Sequence, residues 1–186
     1  MKKYAFSSIT ILALCLIAFT SFAVESDDIL GSWLTEGGDS CVEIFRKDDR
    51  YFAKITSLRE PNFTAGEVKG MDGKPRIDIH NPDESLREQS LIGLELMKNF
   101  KFNGKQWVNG RIYDPDNGKT YKCKMTLKEE GILHVRGYIG ISALGRTTTW
   151  IRPEVFVEQQ GEPLSFTCPC EDETGESSTL QESTTE

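Results

Sequence analysis

The chain has only two histidines, His80 and His134, which leaves few arrangements for acid–base chemistry. His80 lies between Asp78 and Asp83, where neighbouring carboxylates favour the imidazolium form and tune its protonation. The same three residues are a conceivable metal set, yet Pro82 and the turn-forming Asn81 explain them as loop architecture, so no metal is expected. His134 alternates with core positions and reads as surface-facing. Cys168-Pro169-Cys170 offers two thiols with no histidine nearby, which suits a disulfide better than a soft-metal site. The sequence contains no Gly-x-Ser-x-Gly elbow, His-Glu-x-x-His pair, phosphate-binding glycine loop or Cys-x-x-Cys. The reading is therefore a protein that is not an enzyme and carries no cofactor; a hydrolase using Asp78 or His80 is the enzymatic alternative.

Binding chemistry is better supplied. Arg136 shares a strand face with Tyr138, and Arg146 leads into a strand that ends near Trp150. If these strands close into a barrel, an inward Arg is costly unless it is paired. It then either meets Asp78, Asp83 or Asp114 and closes one barrel end, or awaits an anionic ligand group. In the second case Tyr113, Tyr121 and Trp150 surround a carboxylate or phosphate headgroup, while Leu94, Leu96, Met125 and Val135 hold an apolar tail. The candidate ligand contacts are thus Asp78, His80 and Arg87 of one long loop, with Tyr113, Tyr121, Arg136 and Trp150.

The elements that must position these residues are strands. Trp107 to Lys128 reads as a hairpin about the turn Asp114-Pro115-Asp116-Asn117-Gly118. Trp107, Asn109, Arg111 and Tyr113 share one face before the turn, and Tyr121, Cys123, Met125 and Leu127 share one after it. A second hairpin joins Cys41–Lys47 to Arg50–Leu58 across Asp48-Asp49, with Val42 and Ile44 on one face and Tyr51, Ala53 and Ile55 alternating in the partner. Leu91–Phe102 reads as a strand with Ile92, Leu94, Leu96, Phe100 and Phe102 on one face. Ile132–Ile139 buries Leu133, Val135, Gly137 and Ile139, and Arg146–Arg152 is the last strand. With a short first strand, Ile29–Thr35, the pattern is all-β: about eight short strands, favouring a single closed antiparallel barrel over an open sheet. Arg59 to Ser90 interrupts it. This long loop, rich in Gly, Pro, Asp and Asn, reads as a lid or barrel-mouth element, with Asn81-Pro82-Asp83 capping a short helix from Glu84.

Residues 1–23 read as a secretory signal peptide, with Lys2 and Lys3 before an apolar run and small residues ending at Ala23. Leu14 before Cys15 is too bulky for the usual lipidation site, so neither a lipid anchor nor a membrane span is expected. The mature protein is expected in the periplasm or outside the cell. Residues 24–153 form the barrel domain, and 154–186 a mostly disordered extension ending in an acidic, Ser/Thr-rich tail. Loss of the two lysines takes the formal charge from −7 to −9, and six of those negative charges follow Cys170. With no basic patch, nucleic acid is not an expected partner. Cys41, Cys123, Cys168 and Cys170 remain after processing and allow three complete pairings; Cys41 and Cys123 both read as inward-facing strand residues, bridged or merely buried.

Several stretches in order resemble one family: Asp78-Ile79-His80-Asn81-Pro82-Asp83 with Leu86-Arg87, Leu91-Ile92-Gly93-Leu94, Gly110-Arg111-Ile112-Tyr113-Asp114-Pro115, and Gly118-Lys119-Thr120-Tyr121. Leu133-His134-Val135-Arg136-Gly137-Tyr138 and Gly145-Arg146-Thr147-Thr148-Thr149-Trp150 complete the set. These are similar to the bacterial exported proteins of the DUF2147 family, a domain of unknown function in the calycin, or lipocalin-like, superfamily. Gly31-Ser32-Trp33 is similar to the calycin opening, whose Trp closes one barrel end. Gln89-Ser90 departs from the pattern, standing where Arg-Pro is expected, and the acidic tail lies outside it. The resemblance implies a small lipocalin-like barrel in the envelope or outside the cell, with no established activity and no named ligand. Two readings follow: a module binding a small amphipathic or hydrophobic molecule, or a structural protein whose barrel is filled by its own side chains and whose loops meet an envelope protein partner.

Overall fold

The computed structural model describes residues 23–160 and residue 168. Residues 1–22 of the expected 1–23 signal peptide, Cys170 and the acidic tail lie outside the described residues. Eight antiparallel strands pair in sequence order and close into a barrel: β1 (Gly31–Leu34), β2 (Ser40–Lys47), β3 (Arg50–Leu58), β4 (Glu95–Phe102), β5 (Trp107–Asp114), β6 (Lys119–Glu129), β7 (Ile132–Tyr138) and β8 (Arg146–Ile151). A helix, α1 (Pro153–Gln160), follows β8.

Where two-residue alternation is unbroken, the sequence pattern and the structure agree. Val42, Ile44, Tyr51, Ala53 and Ile55 are buried across the β2–β3 hairpin, and Cys123, Met125 and Leu127 are buried along β6. β5 differs. Trp107 pairs with Met125 and Gly110 with Cys123, so three steps on β5 match two on β6, and Asn109 takes the left-handed φ of 63° that such a bulge requires. The bulge reverses parity: Trp107 and Gly110 are buried, while Asn109 and Arg111 are exposed rather than sharing the face of Trp107. Gly110 has to be a glycine, because a Cβ there would run into the Phe100 ring. β4 repeats the device with Asn99 at φ 63°, between the fully buried Met97 and Phe100. β4 also starts later than the apolar run suggested. Residues 91–94 form a turn tied to Ile55 through the Gly93 amide and the Leu94 carbonyl, which leaves Ile92 45 % exposed. Ile139 lies beyond β7 and is exposed rather than inward.

The barrel is solid at one end. Trp33, Met97, Phe100, Trp107 and Met125 fill it, and the Trp33 indole donates to the Ile29 carbonyl at 2.8 Å. The Arg152 guanidinium lies 4.1 Å from the Trp33 ring centroid and donates to the Ser32 carbonyl at 3.1 Å and the Asp28 carbonyl at 2.9 Å. This brace sits where backbone pairing is thinnest, since β1 and β8 share only Leu34↔Ile151.

Outside that seam, Leu34, Cys41, Phe156 of α1 and Cys168 form a second small core. Cys41 is therefore buried on the outer face, not inward, because it pairs with Leu34 while Trp33 and Val42 take the inner face. Cys41 and Cys168 form a disulfide with Cα atoms 5.5 Å apart, and Cys123 is a buried free thiol. Burial pushes the Cys123 pKa up to about 12, so this thiol is unreactive.

The disulfide closes nearly the whole domain into one loop, which restricts the unfolded chain strongly. Cys168→Ser should therefore lower unfolding stability by about 2–5 kcal/mol in a denaturant titration, with a similar loss when the wild type is reduced. An unchanged midpoint in both would show that the bridge does not form.

Candidate functional site

The four connections 35–39, 59–94, 115–118 and 139–145 all lie at the barrel end opposite the Trp33 brace. They surround the mouth of a cavity of about 1010 Å³. Its wall is apolar where the strands supply it: Ile55 from β3, Leu96 from β4, Ile112 from β5, Val135 from β7 and Trp150 from β8. Tyr113, Tyr121, Tyr138 and Thr148 also border it, and Arg59, Arg76, Arg146, Glu36, Asp39, Asp114 and Asp116 bring charge. The arrangement can hold an elongated molecule with an apolar part inside and a polar part at the rim.

The long loop is folded onto this mouth. Asn62↔Pro75 and Ile77↔Ser90 form isolated bridges within it, and Asp83 caps the single 3-10 turn Glu84–Leu86 by accepting from the Ser85 amide at 3.0 Å. Asp78 is its anchor. Only 1 % exposed, its carboxylate accepts from the Tyr113 hydroxyl and from the Asn81 side-chain amide, each at 2.7 Å. Burial first, and the bond to Asp78 second, push the Tyr113 pKa up, so this phenol stays protonated as the donor. A second clasp lies at the β5–β6 turn. Gly118 has φ 66°, and a Cβ there would strike the His80 carbonyl, so the loop backbone rests directly on the turn. Arg76 organises the other half of the loop. It donates to both Glu67 carboxylate oxygens at 2.6 and 3.0 Å and to the Glu60 carbonyl at 2.8 Å, and it lies over the Phe63 ring. The Arg76 bonds, then the Thr64 amide, hold the Glu67 pKa down to about 2.

The seven sequence candidates separate accordingly. Tyr113, Tyr121 and Trp150 line the cavity. Asp78 is buried behind Tyr113 and touches the site through it. His80 contributes its backbone while its side chain is exposed, and Asp78, His80 and Asp83 form no joint site, since Asp78 is engaged by Tyr113 and Asn81 and Asp83 by Ser85. Arg87 braces the loop through the Asn81 carbonyl at 2.9 Å and Glu84 at 3.1 Å, away from the cavity. Arg136 is the clearest correction. Val135 points in, so Arg136 points out, and it donates to the Ser142 and Ala143 carbonyls and to Thr147 Oγ1, fixing the β7–β8 connection instead of meeting a carboxylate or a ligand. Arg146 does meet a carboxylate, Glu36 at 3.4 Å. Of the tail contacts, Leu96 and Val135 line the cavity, whereas Leu94 and Met125 are packed in the core. Sequence reasoning missed Arg76; it read Asp114 to Asn117 as a turn, with Asp114 also a possible partner of an inward Arg, and did not place them on the rim of which they form part.

A family model described as an uncharacterized protein conserved in bacteria, DUF2147, matches residues 31–152. The chain belongs to the DUF2147 family. The match runs from the first residue of β1 to the Arg152 brace, so it covers the whole barrel and the long loop. Among solved structures, this DUF2147 chain is similar to protein HP1028 from the human pathogen Helicobacter pylori, described as belonging to the lipocalin family. The two are 23 % identical with a TM-score of 0.56, over 72 % of this chain and 88 % of that one, a likeness of fold. No curated protein matches the sequence. Among the described residues, no helix is long and apolar enough to cross a membrane, and no cluster of His, Cys, Asp and Glu is arranged to hold a metal ion.

Tyr113→Phe leaves Asp78 Oδ1 without its donor and should loosen the loop by about 1–3 kcal/mol. Hydrogen exchange should quicken across residues 76–91 while the strand amides stay protected, and equal exchange in both proteins would show that the pair does not anchor the loop. Glu67 has a folded pKa of about 2 against an ordinary 4.5, so its contribution is complete above pH 4.5 and fades as the pH falls toward 2. Proteolytic nicking within residues 62–75 should rise across that window, and Glu67→Gln should remove the pH dependence.

Proposed function

We propose that this DUF2147 protein is an exported carrier that binds a small amphipathic or hydrophobic molecule in its barrel, acting by binding and not by catalysis. The cavity carries this reading: about 1010 Å³, apolar within, open only toward four converging loops and sealed behind by Trp33 and its neighbours. That volume is at the upper end of the roughly 300–1,000 Å³ typical of ligand pockets. A self-filled barrel would leave no such volume, whereas here Trp33, Met97, Phe100 and Trp107 fill one end while Tyr121 and Trp150 border an open space. The lipocalin-like fold is compatible with ligand binding in general, and the amino-terminal signal pattern supports export. A second reading, docking to an envelope protein partner, is favoured by one feature. Ile139, Ile141 and Leu144 on the β7–β8 connection are 72 %, 63 % and 80 % exposed beside the mouth.

Native mass spectrometry of the untagged mature protein, gently purified from its own exported fraction, should show a discrete excess mass that denaturation removes. Val135→Trp, which fills the cavity from its wall, should abolish that mass while the circular dichroism spectrum is retained. A wild type that carries no excess mass and takes up no N-phenyl-1-naphthylamine would overturn the carrier reading.

A further inference from the structure

The charges at the mouth are not balanced, and the imbalance selects a class of ligand. Among the described residues, each guanidinium lining the cavity already has a carboxylate: Arg59 has Asp39, Arg76 has Glu60 and Glu67, and Arg146 has Glu36. Asp114 and Asp116 line the same rim and take part in none of these ion pairs.

Asp114 is held in place by neutral groups. One carboxylate oxygen accepts the Asp116 amide at 3.0 Å and the other accepts the Asn117 side-chain amide at 2.7 Å. The same Asn117 nitrogen donates to the Tyr121 hydroxyl at 3.1 Å, so carboxylate, amide and phenol are linked along the β5–β6 turn at one side of the mouth. Half-buried Tyr121, on the inward face of β6, brings an aromatic ring to this part of the lining, and deeper in, the lining is apolar at Leu96, Val135 and Trp150. Lys119 pairs with Asp114 across the hairpin but is exposed and outside the lining, so within the lining an anionic headgroup would meet Asp114 and Asp116 and find no unengaged guanidinium. A cation gains both from the carboxylates and from ring faces.

We infer that the cavity takes amphiphiles whose headgroup is a protonated amine or a quaternary ammonium, seated at Asp114 and Asp116 with the tail against Leu96, Val135 and Trp150. This rests on the carrier reading and narrows it, replacing the carboxylate or phosphate headgroup that Arg136 would have implied. Discrimination arises by repulsion as well as attraction, since the fixed carboxylates disfavour the wrong charge.

The test is calorimetric titration of the mature protein at neutral pH with decyltrimethylammonium, decanoate and 1-decanol, each below its aggregation limit. The ammonium should bind at least about tenfold more tightly than decanoate, with the alcohol between them. Asp114→Asn should reduce that preference severalfold. Asp116→Lys, on the exposed turn, should bring the two charged probes to within about threefold of each other. Decanoate binding as tightly as the ammonium to the wild type, or an undiminished preference in both folded variants, would overturn the headgroup assignment while leaving the cavity reading intact. Failure of all three probes to bind would overturn the cavity reading itself.

Discussion

The Arg152 guanidinium bridges the first and last strands at the place where their backbones share a single residue pair, stacking on Trp33 and donating to two carbonyls just before and within β1. An open sheet of short strands would expose two unpaired edges. Closure removes both, but only if the seam holds. The other devices at the seam work in the same direction. Glu36 reaches the Thr149 amide and Arg146, α1 covers Leu34, and the Cys41–Cys168 disulfide draws the chain beyond the barrel back onto β2. Once the seam is fixed, the Trp33 end is filled and the volume that remains lies at the opposite end, under the loops.

The two ends are held by different physics. The Trp33 end is apolar packing in the dense manner of a protein core. The loop end is polar, and its key member is a buried carboxylate, Asp78, satisfied only by neutral donors. Such a group is costly to bury and costlier to leave unpaired, so the loop has one favourable seat, with Asp78 against Tyr113 and the His80 carbonyl on Gly118. The loop is thus localised by hydrogen-bond satisfaction, whereas the strands are localised by burial.

Much of this was legible in the sequence, and the losses have physical causes. Eight strands, closed topology, the β2–β3 hairpin and the inner face of β6 follow from alternation and turn residues. Alternation fails at a bulge, and the bulges in the middle of β4 and β5 each carry an Asn, at positions 99 and 109, in the left-handed conformation that Asn tolerates better than most residues. Those two mid-strand asparagines were the available signal, and missing them sent Arg111 to the wrong face. The direction of Arg136 was readable too, because Val135 beside it belongs to the core. The disulfide partner of Cys41 was not readable, since pairing depends on a distance that four cysteines in a sequence do not encode. Tyr113 and Asp78 are 35 residues apart, so their bond too is a product of the fold.

A cavity sealed behind and open in front has a single door. On the carrier reading, whatever enters the barrel leaves by the route it came, so exchange would depend on how often the clasped loop yields, and the mouth would set residence time as much as the wall sets affinity. The sealed end adds a measure of depth. Each further methylene of a tail contributes about 0.8 kcal/mol while there is room for it and strain once it meets the packed tryptophans. On the same reading the Trp33 plug, which first serves to close the barrel, would also grade its guests by length.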